Sequence, residues 1–156
     1  MNITIVAVGK LKEKFWEQAA GEYLKRLKAY AKVTVKEIPD VDPGRAGGIE
    51  AARDKEGEAV LAAIPERSHV ILLAIEGKET SSVALSRYID ELGVNGKSDI
   101  TFVIGGSDGS SPAVYKRANH LLSFGPITLP HNLARIVLLE QIYRSFRISR
   151  GEPYHK

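Results

Sequence analysis

Apolar positions along this chain fall into short continuous runs, separated by segments with helical spacing. Ile3–Val8 is an apolar run closed by Gly9 and predicts a first strand. Phe15, Ala19, Tyr23 and Leu27 recur at i, i+4, i+8 and i+12 opposite Lys and Glu, which predicts a helix with those four on one apolar face. Val33 and Val35 alternate with Lys32, Thr34 and Lys36, as in a strand with one wet face. PDVDPGRAGG (39–48) has turn chemistry throughout and predicts a loop, and residues 49–64 predict a second helix. His69–Ile75 is mostly apolar, the pattern of a strand buried on both faces.

Ser81-Ser82 offers a cap for a third helix reaching about Leu92. The strand Ile100–Ile104 then runs into Gly105, Gly106 and Gly109, and Pro112 suits the first turn of the helix that follows. A short strand around Leu121–Phe124 is broken by Gly125-Pro126, and Ile127–Leu129 leads to Pro130. The last helix runs from about Asn132 to Ile148. Strands alternating with helices, with no repeat or linker, predict one α/β domain over residues 1–156 with a largely parallel sheet. Ligands gather at the carboxyl ends of such strands. Three glycine-containing loops fall there: EGK (76–78), GGSDG (105–109) and FGPITLPH (124–131).

Composition narrows the setting. No apolar run approaches the ~20 residues of a membrane span, and the N-terminus reads as a strand rather than a signal peptide. The absence of cysteine removes disulfides, thiolate nucleophiles and cysteine-based metal sites, and favours the cytoplasm. The net charge of +3 is unevenly spread: residues 1–36 carry +5, residues 37–129 carry −5 and residues 130–156 carry +3. Basic ends around an acidic middle suit contact with a polyanion, and equally suit solvated surface lysines.

The glycines match no nucleotide signature. Gly109 is followed by Ser110, Ser111 and Pro112, so the lysine of a phosphate-binding P-loop is missing, and the glycine spacing is not that of a dinucleotide fingerprint. The four histidines, His69, His120, His131 and His155, include no i, i+4 pair, and no metal is expected. Ser107, Ser110 and Ser111 lie near the turn, but no G-x-S-x-G elbow exists.

ITIVAVGKLKEKFW at the start, LLAIEGKETSS (72–82), FVIGGSDG (102–109), LSFGPITLPHNLARIVLLEQIYR (122–144) and the terminal RGEPYHK carry a resemblance over essentially the whole chain. The chain resembles the ribosomal large-subunit methyltransferase H family, small SPOUT-class enzymes. The resemblance implies an α/β SPOUT fold with a mostly parallel sheet, helices on both faces and a C-terminal trefoil knot. It implies S-adenosylmethionine as cofactor and N3 of a pseudouridine in 23S ribosomal RNA, on assembled ribosomes, as target. It also implies a homodimer, with neither membrane nor DNA as partner. Carried over by motif, the cofactor residues are Leu73, Gly105, Phe124, Gly125, Pro126, Ile127, Thr128 and Leu129.

N-methylation needs two reactants aligned and a proton removed from a weakly acidic imide. Tyr154 and His155, an aromatic and an imidazole after Pro153, are candidates to stack on a splayed base or handle that proton. His131 ranks below His155 for the proton, and is also a candidate to hold the cofactor loop. Arg135, Arg144, Arg147 and Arg150 are candidates for phosphate contact. Glu140 and Arg144 are spaced as an ordinary helix ion pair, and Arg147 and Arg150 equally suit a solvated helix end. No acidic partner for a ribose emerges from spacing. The last helix is apolar beyond one face and needs cover on several sides, which a second subunit would supply. Rival readings are a SPOUT methyltransferase for another RNA such as transfer RNA, a non-catalytic ribosome-binding factor, and an unrelated nucleotide-binding α/β protein.

Overall fold

The computed structural model describes residues 1–154. Its elements are β1 (Asn2–Val8), α1 (Lys14–Leu27), β2 (Lys32–Ile38), α2 (Pro43–Ala46), α3 (Ile49–Ala63), β3 (His69–Glu79), α4 (Ser82–Val94), β4 (Asp99–Ile104), α5 (Pro112–Arg117), β5 (His120–Ser123) and α6 (His131–Ser149). The five strands pair in the order β2-β1-β4-β3-β5, and every pairing is parallel. The doubly apolar runs take the middle of the sheet, while alternating β2 takes an edge.

Strand alternation divides the core. Ile3, Ile5, Ala7, Ile71, Ile100, Phe102 and Ile104 face Ala20 and Leu27 of α1, Leu85 and Ile89 of α4, and Leu138, Leu139 and Ile142 of α6. Val6, Val8, Val70, Leu72 and Val103 face the other way, against Val60 of α3 and Val114 of α5. Helices thus cover both faces, as expected. Ser81 Oγ accepts from the Ala84 N–H at 3.1 Å and starts α4; Ser111 caps α5 with Pro112 at its first position. No helix among the described residues is long and apolar enough to cross a membrane.

The structure departs from the sequence reading at three places. Phe15 is 61% exposed, and the buried residues of α1 are Ala20 and Leu27. A strict i+4 stripe advances roughly 40° per step on a 3.6-residue turn, so its ends cannot share one face. The loop 39–48 contains the short helix α2, started by Asp42, whose carboxylate accepts from the Gly44 N–H at 3.3 Å. β3 continues to Glu79, and its pairing with β5 shifts register between Leu73 and Lys78. Gly77 lies in that bulge, where a Cβ would stand 2.8 Å from the Leu121 carbonyl carbon; only glycine lets the strands approach so closely.

A buried ion pair fixes α6 on the sheet. Arg135, 3% exposed, donates from Nη1 to Glu37 Oε2 at 2.6 Å and from Nη2 to the Gly9 carbonyl at 2.8 Å. Burial pushes the Glu37 carboxyl up, and hydrogen bonds from Arg135 and the Leu11 N–H more than reverse it, leaving it below the ordinary range. At the opposite end of the sheet His69 Nε2 and Tyr88 Oη share a hydrogen bond of 2.7 Å, and Tyr88 packs on the His120 ring with centroids 4.7 Å apart. Burial, then nearby positive charge, holds both imidazoles below the usual histidine range.

Two stability measurements follow from these contacts. Glu37→Ala leaves Arg135 buried without its carboxylate and is expected to cost about 2 kcal/mol at pH 7, less than for a fully buried pair because Glu37 keeps partial solvent contact. The difference from the parent should shrink as pH falls below the ordinary carboxylate range, where the depressed pKa no longer contributes. His69 and His120 resist protonation in the fold more than in the unfolded chain. Stability is therefore full above about pH 6.5 and declines below it. Thermal midpoints taken between pH 7 and 5.5 should fall for the parent and less so for His120→Phe; parallel curves would exclude this origin.

Candidate active site

The carboxyl ends of β3, β4 and β5 open into one cavity of about 550 Å³, a size suited to a nucleoside-sized ligand. Parallel pairing is the reason: it brings the second half of β3 and the loops after β4 and β5 to the same edge. Leu73, Gly105, Phe124, Gly125, Ile127, Thr128 and Leu129 all line this cavity. Pro126 sits in the same loop but not on the cavity wall. Ile104, Leu122 and Ala134 extend the apolar lining, and Ser107, Ser110 and His131 add polar groups.

The glycine turn is held by its own chain. Gly109 donates to the Gly106 carbonyl at 3.0 Å and takes φ +82°, a conformation other residues avoid. A Cβ on Gly105 would fall 2.6 Å from Ser110 Oγ and 3.2 Å from the Gly109 carbonyl carbon. In the 124–130 loop, Ser123 Oγ accepts from the Gly125 N–H at 3.0 Å. The N–H groups of Ile127, Thr128 and Leu129 find no protein acceptor among the described residues.

Two polar side chains on the wall escaped the sequence reading. The Tyr115 hydroxyl donates to Glu76 Oε1 at 2.5 Å across the cavity rim. Burial, with the Glu76 bond behind it, pushes the Tyr115 phenol up to about 12; the same bond leads in holding Glu76 below the usual carboxylate range. Glu76 stands in the EGK segment, where a position three past Leu73 reads as the opposite face of a strand. Tyr115 reads as an ordinary α5 residue.

A smaller cavity of about 130 Å³ adjoins the first and shares Gly106, Ser107 and His131 with it. Lys10 and Lys12, both exposed, stand on its far wall with Asp40 and Asn132. His131 Nε2 packs against Gly9, where a Cβ would come within 2.8 Å, and has no hydrogen-bond partner among the described residues.

The arginine and tail candidates lie elsewhere. Arg135 is spent on Glu37 and Gly9 inside the fold, which corrects the expectation of a phosphate contact: it holds α6, and through it His131 one turn earlier. The Tyr154 hydroxyl donates to Glu140 Oε1 at 3.2 Å, its ring meets Tyr143 edge-on at 5.0 Å, and Arg144 lies over it at 4.7 Å. Glu140 is nine residues along α6 from His131, roughly 14 Å at 1.5 Å per residue, so Tyr154 is not in the cavity of its own chain. Arg144 pairs with Glu140 at 2.6 Å, and Arg147 with Glu152. Arg150 stacks over Tyr30 at 4.5 Å. His155 lies outside the described residues. No group of three or more His, Asp or Glu among the described residues is placed to hold a metal.

Known proteins place this architecture. A family profile described as "Predicted SPOUT methyltransferase" matches residues 1–155. Proteins named ribosomal RNA large subunit methyltransferase H are similar over the full length of both chains. Those of Listeria monocytogenes serotype 4b and Bacillus thuringiensis subsp. konkukian are 57% and 55% identical. A solved structure of a probable methylase family protein from Haemophilus influenzae superposes with a TM-score of 0.55 at 13% identity, over 96% of this chain and 66% of that one. That likeness bears on the fold alone. On sequence and architecture together, the chain belongs to the ribosomal RNA large subunit methyltransferase H family of SPOUT methyltransferases.

Proposed function

We propose that this protein transfers a methyl group from S-adenosylmethionine to N3 of a pseudouridine in 23S ribosomal RNA, working on assembled ribosomes in the cytoplasm as a homodimer. The reaction class and the RNA rest on relatives, named for methylating large-subunit ribosomal RNA, that match along their whole length. The observation that carries the site is the meeting of the second half of β3 with the loops after β4 and β5 around one cavity, where the 124–130 loop holds unspent backbone donors.

The cavity fits the cofactor chemically. Leu73, Ile104, Leu122 and Phe124 offer apolar walls for a purine, and the free N–H groups at 127–129 can meet its polar edge. When bound, S-adenosylmethionine supplies a methyl group on a sulfonium, so no covalent nucleophile is needed. The chain has to hold the acceptor in line, exclude water and take a proton from the acceptor nitrogen. The smaller cavity beside His131 adjoins the donor side, and Lys10 and Lys12 stand near it for RNA phosphate.

Tyr154 and His155 belong to this proposal as residues of a second subunit's tail. Within one chain Tyr154 packs along α6, away from the cavity. Leu133, Ile136 and Val137 of α6 stay only half-buried in the single chain, and Ile127 is 67% exposed beside them in sequence, an apolar surface that suits a dimer contact. Arg135 enters as a positioning residue for His131. The reading includes the C-terminal trefoil knot: from β5 at the sheet edge, the chain returns through 124–130 so that α6 packs under β1 and β4.

Labelled S-adenosylmethionine offered with intact ribosomes, free 23S RNA and bulk transfer RNA tests the assignment. Label should enter ribosomes alone. Gly105→Leu, which forces apart the 105–109 turn, should lower transfer by about 10²-fold, the scale of an ångström-level misplacement. Label in transfer RNA would move the substrate and keep the chemistry; no label from folded protein would remove the enzyme reading. A chain ending at Glu152 should bind the cofactor yet fail to transfer. Mixed with Gly105→Leu, it should regain activity that neither has alone, and continued inactivity would count against a tail acting between subunits.

A further inference from the structure

Among the described residues Glu76 is the sole carboxylate on the wall of the large cavity, and the strand that carries it is irregular at that point. In a regular strand, side chains three apart point to opposite faces, so Leu73 and Glu76 could not both meet one cavity. The register shift between Leu73 and Lys78 breaks that alternation, and both residues line the same space. Bulges beside binding sites commonly re-aim a side chain in this way.

The carboxylate is also held. Tyr115 of α5 donates to Oε1 at 2.5 Å. That contact favours the ionised form, and the raised Tyr115 phenol stays a donor at physiological pH. The remaining acceptor capacity has no donor among the described residues. Ser107, Ser110 and Thr128 on the wall carry hydroxyls that can either donate or accept, whereas an ionised carboxylate only accepts. Of the parts of an adenosine, the ribose is the one that presents two adjacent hydroxyl donors, and carboxylates meet ribose hydroxyls in the same way in other nucleotide sites.

We infer that Glu76, oriented by Tyr115 and aimed by the β3 bulge, anchors the ribose diol of the methyl donor. This rests on the donor reading above. Calorimetric titration separates the two. S-adenosylhomocysteine and 5′-methylthioadenosine both carry the diol and a neutral sulfur, and only the first carries the amino-acid tail. Wild-type protein should bind both. Glu76→Ala should weaken both by the same factor, roughly tenfold, the loss expected for one hydrogen-bonding charged group at a partly wet rim. Glu76→Gln should fall between, and Tyr115→Phe, which frees the carboxylate to turn, should lose roughly threefold.

Since Glu76 is exposed, thermal midpoints of the two Glu76 variants should match the parent, so their lost affinity is not lost fold. Unchanged binding by Glu76→Ala would overturn the anchor. So would a loss seen with S-adenosylhomocysteine alone, which would put Glu76 on the tail, or with S-adenosylmethionine alone, which would put it on the sulfonium. Wild-type protein that binds none of these compounds would remove the donor reading itself, and the anchor with it.

Discussion

A guanidinium taken out of water has to be met on several sides at once, and in this fold that requirement sets where the last helix lies. Arg135 reaches from α6 to the end of β1 through Gly9 and to β2 through Glu37. Neither contact survives a slide of α6 by one turn. Apolar packing by Leu138, Leu139 and Ile142 tolerates small shifts, because apolar contact is not directional; the ion pair does not. Since His131 and Ala134 form one wall of the large cavity, its width depends on a contact that touches no ligand. Burying such a pair gives little net stability, and its contribution is better described as fixing one register of α6.

The layered architecture was legible because the middle strands are apolar on both faces, a pattern few folds besides a covered parallel sheet produce. Parallel pairing then brought the loops at 105–110 and 124–130 to one edge, as their place after strands implied, whereas the expected EGK loop lies within β3. Less legible were features that depend on local geometry rather than pattern. Phe15 follows the stripe of α1 yet lies in solvent, since four-residue spacing drifts around the helix. Glu76 was hidden because a bulge cannot be seen in alternation; it is the failure of alternation. Arg135 looked like a phosphate ligand, as basic helix residues do, until its partners on β1 and β2, distant in sequence, were in place. The motif resemblance identified seven of the cavity-lining residues, while spacing by itself pointed only to the loops.

The C-terminal segment is organised as far as it is described. Tyr30 donates to Glu152 Oε2 at 2.5 Å, Arg147 Nη2 donates to the Pro153 carbonyl at 3.1 Å, and Tyr154 packs on Tyr143. A terminus without such ties would fray. These ties keep Tyr154 beside the far half of α6 from the cavity, so the cavity and this candidate side chain occupy different ends of one helix. In the proposed homodimer, that separation would leave one chain's tail to reach its partner's cavity.

Trp16 is the sole tryptophan of the chain. It sits in the first turn of α1, its N–H donating to the Glu13 carbonyl at 3.1 Å and its indole tilted against Phe15 at 5.0 Å. Glu13 and Lys12, just before it, form part of the small cavity. The protein therefore carries a native optical reporter on the segment nearest its lysine-bordered cavity. Because no second indole contributes, any change in tryptophan emission belongs to that one turn.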